Sequence, residues 1–295
     1  MKKHLPFIAL VLSGAAAVAA PPADLSKYVD PFIGTADHGH VFLGANVPFG
    51  FIQAGPSQRV QGWDWCSGYH YSDSIIVGFS QTHLSGTGCG DLGDVTLFPT
   101  LDPGSHTSSF SHDRERCTPG YYSVVLDKSG TLAEMTATER TASHRYTFAP
   151  ADTAYLILDL EYGIGWDRPA DTRIILENDS TISGWRHSRG WADNQKIFFT
   201  ASFSKPILSC RVDTVGPSEI GLLAFKGSEK APVTVEVRLA LSAVSVDNAR
   251  LNMAAENPRF DFDGTARRAR EQWNGQLAKI DIATADDAAR RKFYT

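Results

Sequence analysis

The sequence predicts a mainly β fold: a large antiparallel β-sandwich, then a C-terminal linker helix and a last segment that reads either as a short terminal helix or as the start of a helical domain. Three observations predict it. Short runs rich in β-branched and aromatic residues recur across residues 121–246, separated by Gly, Asn, Asp and Pro turns. Those separations are too short for repeated helix crossovers, which argues against a parallel α/β sheet. The strand pattern ends at Val246, and from Asp263 the apolar spacing becomes helical.

Each element has its own justification. Tyr122–Leu126 alternates, and Lys128-Ser-Gly-Thr131 turns the chain. Leu132–Thr138, Ser143–Phe148 and Ala154–Leu160 continue the pattern. Arg173–Leu176 and Thr181–Trp185 flank the turn Glu177-Asn-Asp-Ser180. Lys196–Phe203, Gly221–Phe225 and Val233–Val246 complete the strands. Further on, Ala266, Ala269, Trp273, Leu277 and Ile280 fall on one helical face, with Asp263 or Thr265 as its cap. A second helix is expected from Thr284, with Asp286 and Asp287 early, where the helix dipole favours anions. The division expected is a leader over 1–19, a β-sandwich over 20–262 and a helical linker over 263–295.

Composition bounds the function. The chain has 295 residues, 42% hydrophobic and 21% charged, which excludes a disordered chain. Its 28 basic and 33 acidic residues give a net charge of −5, so a nucleic-acid-binding surface is not expected. No apolar run reaches the roughly 18–20 residues of a membrane span. Lys2 and Lys3, the apolar Leu5–Leu12 and the A-x-A-like Ala17-Val-Ala19 read as a secretory signal. A periplasmic or secreted location follows. Cys66, Cys89, Cys117 and Cys210 could then form disulfides or remain buried thiols, and the sequence does not choose between them.

Residues 34–104 hold 13 of the 25 glycines, which marks functional loops. Gly62-Trp-Asp-Trp-Cys-Ser-Gly-Tyr-His-Tyr71 sets aromatic rings beside an acid. Such rings pack on the C–H faces of a sugar while Asp accepts from its hydroxyls; equally, both tryptophans suit a core. In Thr82-His-Leu-Ser-Gly-Thr-Gly-Cys-Gly-Asp-Leu-Gly-Asp94, glycines let backbone approach a ligand. Asp91 and Asp94 could ligate calcium or simply cap turns. Asp37-His-Gly-His40 offers two imidazoles for a metal, with no further ligand nameable from sequence. Ser85, His83 and Asp91 are too close in sequence to make a credible triad.

These clusters, in this order, resemble the N-terminal domain of glycoside hydrolase family 92, the exo-acting α-mannosidases. The resemblance rests on Tyr28-Val-Asp-Pro-Phe-Ile-Gly-Thr35, Gly44-Ala-Asn-Val-Pro-Phe-Gly50, Gly62–Tyr69, Gly78–Gly88 and Gly90–Asp94. Ala137–Thr141, His144–Tyr146 and Phe203–Pro206 add to it. It implies a supersandwich-like N-terminal domain, calcium dependence, inversion at the anomeric carbon, and α-1,2-linked mannosides such as N-glycan mannose as substrate. It also implies a partner, the (α/α)6 catalytic domain, which carries the general acid and base and most calcium ligands. On this resemblance the chain stops near that domain's first helix. Trp63, Asp64 and Trp65 become the wall of the mannose subsite, with His83, Ser85 and Gly86 a second candidate group. Glu134, Glu139 and Glu161 lie in expected strands with no recognisable acid–base partner. The same aromatic loops would also suit a stand-alone, non-catalytic carbohydrate-binding module.

Overall fold

The computed structural model describes residues 24–295, and the expected leader Met1–Ala19 lies outside them. Two antiparallel sheets face each other. The six-stranded sheet runs Gly55–Ser57, Gly78–Ser80, Thr96–Thr100, Ala151–Asp159, Ser218–Ser228, Ile207–Val215. The eight-stranded sheet runs Arg168–Asn178, Thr181–Arg189, Gln195–Phe203, Val233–Ser242, Thr141–Phe148, Thr131–Ala137, Tyr121–Leu126, Glu115–Thr118. A ribbon of Ile75–Ile76 and Ser108–Ser109 lies apart.

Alternation explains the layers. In Val233–Ser242, Val235, Val237 and Leu239 are buried while Thr234 and Glu236 are less so. Across the layers, Phe79 of the smaller sheet meets Tyr122 and Tyr146 of the larger at 6.5 and 6.3 Å between ring centres. Phe203 meets Phe225 at 5.4 Å. Burying each such ring stabilises the sandwich by roughly 1.5–3 kcal/mol. The turn expected at Glu177–Ser180 forms, with Asn178 Oδ1 accepting from the Ser180 amide at 2.9 Å.

The strands legible in the sequence are present, most of them longer than expected. Ile207–Val215 was not foreseen. It is an edge strand, mostly exposed, so it carries no apolar alternation. The short strands Gly55–Ser57, Gly78–Ser80 and Thr96–Thr100 were hidden for the opposite reason: every residue is buried, so no alternation exists.

Three helices follow: α1 (Val246–Glu256), α2 (Phe262–Leu277) and α3 (Asp287–Tyr294). The helical part thus begins at Val246, earlier than the expected 262/263 boundary. Ser245 caps α1, its hydroxyl accepting from the Asn248 amide at 3.1 Å. Buried Ala249 and Met253 lay α1 on the larger sheet. The cap of α2 is Asp261 rather than Asp263 or Thr265, because Asp261 Oδ1 receives the Gly264 amide at 3.1 Å. Phe262 is thereby drawn under Arg145, whose guanidinium lies 4.2 Å from the ring centre. Ile280 lies beyond the end of α2 and is exposed. Helix α2 passes over Gly120, where φ is +82° and an added Cβ would lie 2.7 Å from Ala269 Cβ. Asn274 Oδ1 accepts from the Leu25 and Ser26 amides, both at 2.9 Å, tying the N-terminal segment to the same helix. Among the described residues no helix is long and apolar enough to cross a membrane.

Candidate functional site

Three loops separated in sequence meet at one rim. The first carries the histidines. Backbone at Gly34, Asp37 and His40 is left-handed, with φ of +91°, +49° and +57°. Gly39 packs so tightly that an added Cβ would lie 2.1 Å from the Gly34 carbonyl oxygen. This coil sends both imidazoles to Asp64. His38 Nδ1 donates to Asp64 Oδ1 at 2.6 Å, and His40 Nε2 donates to the same oxygen at 3.2 Å.

The second loop is a 3₁₀ turn over Trp63–Trp65. Its geometry separates the residues the sequence grouped. Trp63 is 60% exposed. Its Nε1 donates to the Gly88 carbonyl at 2.6 Å, and its ring meets His40 edge-on at 4.2 Å and His38 at 5.4 Å. Trp65 turns elsewhere: half-buried, it stacks on His70 at 4.3 Å and donates to Asp73 Oδ2 at 3.2 Å. Trp63 and Asp64 therefore belong to the rim, and Trp65 supports it from behind.

The third loop is Thr82–Asp94. The Gly86 amide donates to the His40 carbonyl at 2.6 Å, and Ser85 Oγ accepts from the Phe42 amide at 3.1 Å. Both residues pin the histidine loop. Gly86 has φ +77° and open space at its missing Cβ, so ligand can approach its backbone. His83 does not reach the surface. It is buried, with Nδ1 donating to the Gln53 carbonyl at 2.8 Å and Nε2 facing Ser57 Oγ at 3.4 Å. Burial lowers its pKa to about 4, so the ring stays neutral. Ser85 and His83 have separate partners, and no triad forms.

A buried ion cluster anchors this loop. Arg186 is fully buried and donates to Asp94 Oδ1 at 2.9 Å, the Leu160 carbonyl at 3.1 Å, the Tyr162 carbonyl at 2.7 Å, and Asp167. Burial pulls the Arg186 pKa down, and the two carboxylates more than reverse that. Asp94 also accepts from Thr82 Oγ1 at 2.7 Å and from Gln195. Asp94 thus holds the fold together instead of capping a turn.

At the rim, the hydrogen bond from His38 lowers the Asp64 pKa, and the same bond raises that of His38. Both Asp64 bonds use Oδ1; among the described residues Oδ2 takes no hydrogen bond. The sequence reading missed Trp166 and Trp191, which are 63% and 59% exposed. The Trp166 amide donates to the Gly90 carbonyl at 3.0 Å, and Gly190 packs on Asp91, so both tryptophans border the glycine loop. A partial signal was present: Gly precedes Trp at 62–63, 165–166 and 190–191, and also at 184–185, where the ring is half-buried.

The glutamates show no acid–base pairing. Glu134 is held by Arg145 at 2.7 Å and by Tyr121 OH at 2.9 Å. Glu139 and Glu161 lie in bends rather than the expected strands. All four cysteines are free thiols, Cys66 and Cys117 buried.

A two-layer antiparallel sandwich, with a tryptophan rim on its loops and helices at its C-terminal end, defines the class. Comparison gives the family. The glycosyl hydrolase family 92 N-terminal domain matches residues 28–242, and the family's catalytic domain matches 248–295. This chain belongs to glycosyl hydrolase family 92. The α-mannosidase of Bacteroides thetaiotaomicron solved with mannoimidazole is 34% identical with a TM-score of 0.84, over 92% of this chain and 39% of its own. A family 92 inverting mannosidase of the same organism is 25% identical with a TM-score of 0.78, over 92% and 38%. A secreted glycosidase of Arthroderma benhamiae is 27% identical over 92% of this chain and 40% of its own. The chain therefore spans about 40% of the length of these relatives. The match into the catalytic domain disfavours a stand-alone binding module.

Calcium, implied by the family resemblance, takes six to eight oxygen ligands. The metal-competent cluster among the described residues is His38, His40 and Asp64, two imidazoles and one carboxylate. That donor set does not fit calcium, and no step is derived through it.

Proposed function

We propose that this chain forms the N-terminal β-sandwich part of a secreted, calcium-dependent, inverting α-1,2-mannosidase acting on glycans such as N-glycan mannose. Its rim supplies part of the cleft that grips the terminal mannose. One observation carries the reading: Trp63 stands exposed, locked by the Gly88 carbonyl and both histidines, beside a carboxylate with a free oxygen. The indole face packs on the sugar's C–H face, and Asp64 Oδ2 accepts from a hydroxyl. Ser85 and Gly86 hold the histidine loop that supports them. The general acid, the general base and the calcium ligands are assigned to the catalytic-domain length that the relatives have and this chain does not span.

Two measurements test the reading. Assayed alone on α-1,2-mannobiose with calcium, the chain should show no turnover, and adding the remaining catalytic domain should restore it. Robust turnover by the chain alone would place the acid and base among these residues. Calorimetry with mannosides should show the Trp63→Ala chain binding about tenfold more weakly. Equal heats would remove Trp63 from the subsite.

A further inference from the structure

The rim cluster has a donor set that its sugar-binding role does not need. Asp64 could accept from a hydroxyl without any histidine, yet two imidazoles converge on one of its oxygens. The arrangement places left-handed backbone at Asp37 and at His40, residue types that tolerate that region better than most non-glycine residues. It also requires glycine at position 39. The ligand atoms His38 Nδ1, His40 Nε2 and Asp64 Oδ1 all lie within 4.8 Å of one another.

We propose that His38, His40 and Asp64 form a zinc site that clamps the Trp63 rim. Zinc binds imidazole nitrogen and carboxylate oxygen at about 2.0–2.2 Å in tetrahedral geometry, which sets ligand atoms about 3.3 Å apart. The separations from Asp64 Oδ1 are 2.6 and 3.2 Å, so these two pairs need to open by less than about 1 Å, and the two imidazole nitrogens lie within 4.8 Å of each other. His38, with a 73% exposed side chain, is free to make that movement. On binding, two N–H···O bonds onto one oxygen become three bonds to one ion. Each neutral imidazole keeps one proton, which passes through solvent from the ligating nitrogen to the other ring nitrogen. The two imidazoles favour zinc over calcium, which prefers oxygen. Three protein ligands leave a fourth position for water on the open side of the rim. The bound ion joins the histidine loop to the Trp63 turn and so fixes the indole that lies against both rings. This inference is independent of the sugar reading.

The test uses the chain stripped with chelator and titrated with zinc by calorimetry, with bound metal counted by mass spectrometry. One zinc per chain is expected, at micromolar affinity. Cobalt(II) in its place should give the intense visible bands of a tetrahedral site and quench Trp63 fluorescence, the quench disappearing in Trp63→Phe. His38→Ala removes an exposed side chain and leaves the fold intact; it should weaken zinc binding at least about tenfold, as should Asp64→Asn. Cys89→Ser should leave binding unchanged. Absence of stoichiometric uptake at micromolar free zinc would overturn the proposal. So would uptake insensitive to His38→Ala and Asp64→Asn, or abolished by Cys89→Ser.

Discussion

Replacing Arg186 with methionine tests how the glycine loop is held. The guanidinium lies wholly inside the protein, between Asp94 and Asp167, whose side chains are as buried as its own. Methionine fills similar volume, so the loss is one of charge and donors rather than of packing. Two carboxylates are left without their counter-ion, and removing one partner of a buried pair costs about 3–5 kcal/mol. The Leu160 and Tyr162 carbonyls lose their guanidinium donor as well, at about 1 kcal/mol each or more. The total of roughly 5–7 kcal/mol is comparable with the whole stability of a typical domain, about 5–15 kcal/mol. Urea unfolding followed by circular dichroism should therefore find Arg186→Met largely unfolded, or with a greatly lowered midpoint. Arg186→Met combined with Asp167→Asn should recover about 1–3 kcal/mol relative to the sum of the single changes, because one orphaned charge is gone. Where the single variant still folds, limited proteolysis should cut it first within residues 82–94, since Asp94 anchors that loop. An unfolding free energy for Arg186→Met within about 1 kcal/mol of the parent would refute the claim that this cluster holds the loop.

Two further predictions concern the interior. His83 and His144 are buried and neutral, with pKa values lowered by desolvation to about 4 and about 3 from an ordinary 6.5. Because the folded values are depressed, the unfolded chain takes up these protons first as pH falls. Their contribution is whole above pH 6.5 and declines towards pH 4, at up to about 1.4 kcal/mol per pH unit for each ring. Urea midpoints measured from pH 7 to 4.5 should fall accordingly, and a flat profile over that range would contradict the burial argument. Gly120→Ala sets a Cβ at φ +82° and 2.7 Å from Ala269. It should lower stability by about 1–3 kcal/mol, read as a drop in thermal midpoint, by straining the turn and pushing α2 off the sheet.

The sequence by itself determined the alternating strands from Tyr121 to Ser242, the turns between them and the helical change of period near the C-terminus. In those segments burial is decided by neighbours two to four residues away, so the pattern is local and legible. It also marked the three glycine-rich loops, because glycine and histidine packed so densely with aromatics have few structural uses. Where the signal was not local it failed. Ile207–Val215 lies at a sheet edge and buries too little to alternate, and Gly55–Ser57 and Gly78–Ser80 are strands only because partners hydrogen-bond to them. The separation of Trp63 from Trp65 depended on a 3₁₀ turn that no spacing rule distinguishes from an extended loop. Only the tertiary structure decided which charges and ring nitrogens meet. Asp64 stands 26 residues from His38 and 24 from His40, and Arg186 stands 92 residues from Asp94. Such pairings are fixed by how two sheets stack and where their loops emerge, and that geometry leaves no periodic trace in the chain.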